Sequence, residues 1–126
     1  MAMAEAVLID TDVLIDFLRG REQASSFLER QPLAPYISAA SVAELYAGVR
    51  DQERADLATF LEALRVHPIT EEIARDGGLH RRDFGPNHGT GLVDGIIAAT
   101  CTRVDAALVT LNRRHYPMLN RILVPY

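Results

Sequence analysis

The chain has 126 residues, 48% hydrophobic and 24% charged, which is the balance of one soluble core rather than of a disordered or membrane-embedded chain. All 13 basic residues are arginine, so Walker-type phosphate loops, Schiff bases and serine–lysine dyads are excluded, and the single cysteine, Cys101, excludes an internal disulfide and a cysteine zinc cage. The net charge of −4 opposes a general nucleic-acid coat, but it is uneven: residues 1–64 carry 5 arginines against 11 acids, and residues 65–126 carry 8 against 6.

The N-terminal MAMAEAVLID has no basic stretch and is interrupted by Glu5, so it does not read as a signal peptide; Met1 and Met3 are both candidate starts. No apolar run approaches the roughly 20 residues that span a bilayer, so no membrane attachment is expected, and a reducing cytoplasm suits the lone cysteine. Residues 6–9 form a short apolar run ending at Asp10, the pattern of a buried strand. Residues 12–18 have helical spacing and stop at Gly20, and residues 22–30 make a second short helix. Pro32 and Pro35 mark a loop before a strand at 36–38, and Ser41 opens a helix to about Val49. Residues 51–64 are amphipathic, with Leu57, Phe60, Leu61 and Leu64 on one face. A brief strand at 65–67 precedes Pro68. Thr70 caps a helix through about Arg82, weakened by Gly77 and Gly78. Residues 84–91, FGPNHGTG, read as a flexible loop. Residues 92–104 form an apolar, buried helix, and 106–109 and 121–124 are strands. Strands alternating with helices predict an α/β domain with a mainly parallel sheet, whose ligands bind at the carboxyl ends of the strands.

Four stretches place chemistry at those ends. Asp10 and Asp12 follow the first strand; a carboxylate there needs a partner, and a hard cation such as Mg²⁺ supplies one, although either acid also suits a helix cap. Ser41-Val42-Ala43-Glu44 has the spacing of a capping box, which competes with a role for Glu44 facing Asp10. Asp94 is the lone carboxylate at the head of an apolar helix, either an N-terminal cap or a ligand; isolated and buried it would tend to take up a proton, and a metal removes that pressure. Thr110 and Asn112 follow the fourth strand as candidates for positioning water or the acids, with Arg113, Arg114 and His115 behind them; the alternative is a plain strand and turn.

VLIDTDVLIDFL, ISAASVAELYAGV, LVDGIIAATC and LVTLNRRHYPML, in this order, resemble the four successive blocks of PIN-domain proteins, and most of all the VapC-type toxins of bacterial toxin–antitoxin pairs. The resemblance runs from Val7 to Pro125. It implies a single PIN domain over residues 1–126, built as a three-layer α/β/α sandwich around a central, mainly parallel sheet. It implies Mg²⁺- or Mn²⁺-dependent cleavage of RNA and control by a cognate VapB-like antitoxin, with an antitoxin segment packed in a groove and an arginine sent into the acidic pocket. It further implies a homodimer. The family's acidic positions fall on Asp10, Glu44 and Asp94, the expected metal-holding set. Asp12 matches a position of Asn, Asp or Ser, and the fourth acidic position holds Asn112, which argues for one firmly held cation. Asp12, Thr110 and Asn112 are expected to orient water or the other acids.

Two other readings compete. The block around Asp10 and Asp12 also approximates the paired aspartates of haloacid-dehalogenase-type phosphatases, and receiver domains share a strand-end aspartate; both normally need a lysine, which this chain lacks. A non-catalytic binding module would use the acids as caps. RNA selectivity is expected from the loop at 84–91 and from Arg81, Arg82, Arg113 and Arg114.

Overall fold

The computed structural model describes residues 5–126. The chain runs β1 (Val7–Ile9), α1 (Thr11–Leu18), α2 (Glu22–Glu29), β2 (Tyr36–Ser38), α3 (Ala39–Ala47), α4 (Arg54–Glu62), β3 (Arg65–His67), α5 (Glu71–His88), α6 (Leu92–Val104), β4 (Ala107–Val109) and β5 (Ile122–Leu123). The five strands form one parallel sheet in the order β3-β2-β1-β4-β5. Helices cover both faces, giving the three-layer α/β/α sandwich. The chain steps outward from β1 to β2 and β3, then returns to the other side of β1 through α5 and α6. The strand order therefore reverses between β1 and β4, the position where parallel sheets leave a crevice at their carboxyl ends.

The period of two along β1 and β4 divides the core. Val7, Ile9 and Val109 join Val13, Leu14, Phe27, Ile37, Leu45 and Leu57 on one face, under α1 to α4. Leu8 and Leu108 point to the other face and pack with Ile97, Ala98, Cys101 and Tyr116. Both central strands are buried along their whole length, which explains their unbroken apolar runs.

Three local expectations change. The helix expected at 51–64 is split: a 3-10 turn at Asp51–Glu53 leads into α4, while Leu57, Phe60, Leu61 and Leu64 still pack on the core. The helix expected to open at Ser41 starts two residues earlier, because Ser38 is its N-cap and accepts a hydrogen bond from the Ala40 N–H at 3.0 Å. Ser41 and Glu44 therefore form no capping box. The largest change is in residues 84–91. Helix α5 continues to His88 with Pro86 inside it and stops only where Gly89 turns left-handed at φ 69°. His80, Phe84 and His88 stand four residues apart on one face, with ring centroids 6.3 and 6.0 Å apart, and this aromatic row carries the helix past the N–H that Pro86 lacks. Gly77 of α5 and Gly95 of α6 serve close contact: a Cβ on Gly77 would sit 2.9 Å from the Ile96 backbone, and one on Gly95 would sit 2.2 Å from the Gly77 carbonyl oxygen, whereas Gly78 faces open space.

Candidate active site

Asp10 sits at the carboxyl end of β1, the central strand, and is 6% exposed. Its backbone N–H donates to the Val109 carbonyl at 2.9 Å, extending the β1–β4 ladder by one residue and setting Asp10 opposite Thr110. Its side chain also caps α1, accepting from the Thr11 N–H on Oδ1 at 2.8 Å. The other oxygen, Oδ2, accepts from the Thr110 hydroxyl and from the Tyr116 hydroxyl, each at 2.8 Å. Capping and a place at the strand ends are thus compatible for this residue.

The other acids reach Asp10 through intermediaries. Asp12 accepts from the Val13 N–H at 2.7 Å and the Leu111 N–H at 3.0 Å, and it shares Thr110, whose hydroxyl is 3.4 Å away. Glu44 accepts from the Thr11 hydroxyl at 2.7 Å, and Ser41 Oγ lies 2.9 Å from that same hydroxyl, so a chain of donors runs Ser41 to Thr11 to Glu44. Asp94 lies in the first turn of α6. One oxygen accepts from the Gly91 N–H at 2.8 Å, which caps the helix, and the other lies 3.1 Å from the Tyr116 hydroxyl. His115 Nδ1 is 3.2 Å from Asp94. Asn112 is exposed at this edge and turns its amide to His115 at 3.0 Å, contacting none of the acids through its side chain.

Burial and the adjacent Asp12 charge push the Asp10 carboxyl up to about 7, against the hydrogen bonds that lower it. Burial is also the main cause of a rise at Asp12. No arginine among the described residues donates to either of these two desolvated carboxylates. Among the described residues, no three acid, histidine or cysteine side chains stand close enough together to hold a metal ion directly. The expected direct three-acid cage is therefore not assembled in this arrangement; each acid is held one hydroxyl or amide away from Asp10. The donor set is nonetheless all hard carboxylate oxygen with excess negative charge, which fits a divalent cation of the Mg²⁺ type and does not fit zinc or copper.

Two participants, Thr11 and Tyr116, escape the sequence reading, and Ser41 entered it as a strand-end and capping residue rather than as a partner of Thr11. Thr11 looks like an ordinary helix residue. Tyr116 looks like core, and its ring is core, with 0% exposure; only its position six residues past Thr110 hinted that it returns under the strand ends. The arginines expected to face RNA divide. Arg113 and Arg114 are exposed on the 3-10 turn after β4. Arg81 and Arg82 lie on α5 rather than beside a loop, and Arg82 pairs with Asp83 at 2.9 Å.

The PIN domain family matches residues 7–118. Ribonuclease VapC10 of Mycobacterium tuberculosis is 42% identical over 125 residues, covering 95% of this chain and 92% of the relative. Ribonuclease VapC19 of the same organism is 42% identical over 123 residues, covering 94% of this chain and 98% of the relative. A toxin–antitoxin complex from Klebsiella pneumoniae contains a chain that superposes with a TM-score of 0.84 at 26% identity, covering 96% of this chain and 98% of that one. The likeness to haloacid-dehalogenase-type phosphatases extended to the first block alone, whereas these matches span all four. The chain belongs to the PIN-domain family, among the VapC-type ribonucleases.

Proposed function

We propose that this protein is the toxin of a toxin–antitoxin pair, an endoribonuclease that hydrolyses RNA phosphodiesters in the cytoplasm at the Asp10 edge of the sheet. The observation that carries the reading is the buried Asp10 at the strand-order reversal, tied to Asp12, Glu44 and Asp94 and, among the described residues, paired with no arginine. Asp10 and Asp94 would hold Mg²⁺ or Mn²⁺, with Glu44 reaching it directly or through water. Such an ion, when bound, supplies Lewis-acid polarisation of water and of the scissile phosphate. The chain's own groups do the rest. Thr110 and the Thr11 N–H orient the two oxygens of Asp10. Asp12, locked by two backbone N–H groups, adds negative charge that favours cation binding. Asn112 acts at one remove, through His115 beside Asp94. Arg113 and Arg114 are placed to take RNA phosphates.

The antitoxin reading has its own support. A cleft of about 420 Å³ between α1, α3 and α4 is lined by Ile15, Leu18, Leu45 and Leu57, by the acids Glu44, Glu53 and Asp56, and by Arg19 and Arg50. An apolar helix carrying an arginine would fill it and bring positive charge to the acids.

The test is induction of the protein in a host cell with mapping of new RNA 5′ ends, alongside assays of the purified protein with Mg²⁺, Mn²⁺ or chelator. Growth arrest with a dominant cut site, abolished by Asp10→Asn, is expected. Cleavage that survives Asp10→Asn, or proceeds equally in chelator, would sink the assignment.

A further inference from the structure

Tyr116 carries the one group that touches both Asp10 and Asp94. The 3-10 turn Arg113–His115 folds the chain back, so that the Tyr116 ring fills the core beside Leu8, Ile97 and Leu108 while its hydroxyl, also buried, lies between the two carboxylates. The distances are 2.8 Å to Asp10 Oδ2 and 3.1 Å to Asp94 Oδ1. A phenol has one proton. Whichever carboxylate receives it, the other faces an oxygen lone pair at hydrogen-bond distance. Thr110 cannot correct the shortage, because its proton is already directed to the same Asp10 oxygen and it accepts from the Asn112 N–H at 3.0 Å. With both carboxylates ionised the arrangement is one donor short, and a proton or a cation on the pair relieves it. A phenylalanine would fill the same core volume, so packing alone does not account for the hydroxyl.

We propose that the Tyr116 hydroxyl sets the spacing and orientation of Asp10 and Asp94 for a divalent cation, which makes Tyr116 a positioning residue of the site. The inference rests on reading those two acids as the cation's holders. It is tested by Mn²⁺ binding to the purified full-length protein without RNA, followed by electron paramagnetic resonance, with melting in chelator as the fold control. Tyr116→Phe is expected to melt within a few degrees of wild type and to bind Mn²⁺ about 10- to 100-fold more weakly. Tyr126→Phe removes a different hydroxyl, the one that donates to Asp16 at 2.7 Å, and is expected to leave Mn²⁺ affinity unchanged. Equal Mn²⁺ affinity in wild type and Tyr116→Phe overturns the inference alone. So does a loss that comes with a melting drop beyond about 10 °C, since about 4 °C per kcal/mol for this length would then signal core damage. If wild type binds no Mn²⁺ at millimolar concentration, the metal-site reading falls and takes this inference with it.

Discussion

Replacing Asp10 by asparagine should stabilise the protein in chelator at pH 8 while abolishing its cleavage of RNA. The Asp10 carboxyl ionises near 7 when folded, against 3.8 for the ordinary group. The folded chain therefore holds a proton that the unfolded chain releases, and ionising Asp10 in the fold has a cost. Three units correspond to about 4 kcal/mol as a ceiling. The amide keeps the Thr11 N–H bond but must rearrange Thr110 and Tyr116, and losing one good bond removes about 1 to 2 kcal/mol. A net gain of about 2 kcal/mol remains. With an unfolding entropy of about 2.1 cal/mol/K per residue, 126 residues give about 4 °C per kcal/mol, so melting should rise by about 8 °C.

The pH dependence has a definite sign. Below pH 3.8 Asp10 is protonated in both states and the wild-type protein bears no cost. Between about pH 4 and 7 the unfolded chain binds fewer protons than the folded one, so stability falls as pH rises. Above about 7 the cost is complete. Asp12, also raised, adds to the same trend. Thermal unfolding in chelator from pH 4 to 8 should show Asp10→Asn melting a few degrees below wild type at the acid end, where only its lost bond counts, and crossing above wild type toward pH 8. Millimolar Mn²⁺ should close most of the gap by stabilising wild type alone. If Asp10→Asn melts at or below wild type at pH 8 in chelator, the claim that Asp10 is an uncompensated buried charge is wrong.

Thr11→Val keeps the backbone bond to Asp10 but removes the hydroxyl that holds Glu44; it should lower ribonuclease turnover about 10-fold with Mn²⁺ affinity nearly unchanged, as read by single-turnover kinetics and metal titration. Gly95→Ala puts a methyl 2.2 Å from the Gly77 carbonyl oxygen and must push α5 from α6; denaturant unfolding should register a loss of about 3 kcal/mol. Leu18→Glu, at the exposed lip of the cleft beside α3, should weaken inhibition by a co-expressed antitoxin at least 10-fold without changing cleavage by the free toxin; unchanged inhibition would move the antitoxin to another surface.

The parallel sheet was legible because β1 and β4 are unbroken apolar runs; the division of their side chains between two faces emerged only from the fold. The strand-end position of Asp10 followed directly. Glu44 was harder: S-x-x-E reads as a cap only if the helix begins at that serine, and Ser38 took the role by ending β2 with its own hydroxyl free to turn inward. The segment 84–91 was misread because glycine, proline and asparagine are weighed one at a time, while the aromatic row of His80, Phe84 and His88 acts across turns. Tyr116 was invisible for a different reason. Its ring obeys the rules of a core residue, and only the folded chain reveals that its hydroxyl lies more than 100 positions from the aspartate it bonds.

That separation bears on how the site works. Asp10 is joined to Asp12 through Thr110, to Glu44 through Thr11 and to Asp94 through Tyr116, each by one donor group. Four carboxylates bonded to neutral hydroxyls and backbone N–H groups repel one another, and these donors hold them near without neutralising them. A cation then strengthens charge-assisted bonds that are already oriented. An antitoxin arginine entering beside Glu44 would answer the same charge, so activation by a metal and silencing by a partner would draw on one electrostatic deficit. A toxin whose deficit is removed, as in Asp10→Asn, should therefore lose both its cleavage and part of its affinity for the antitoxin.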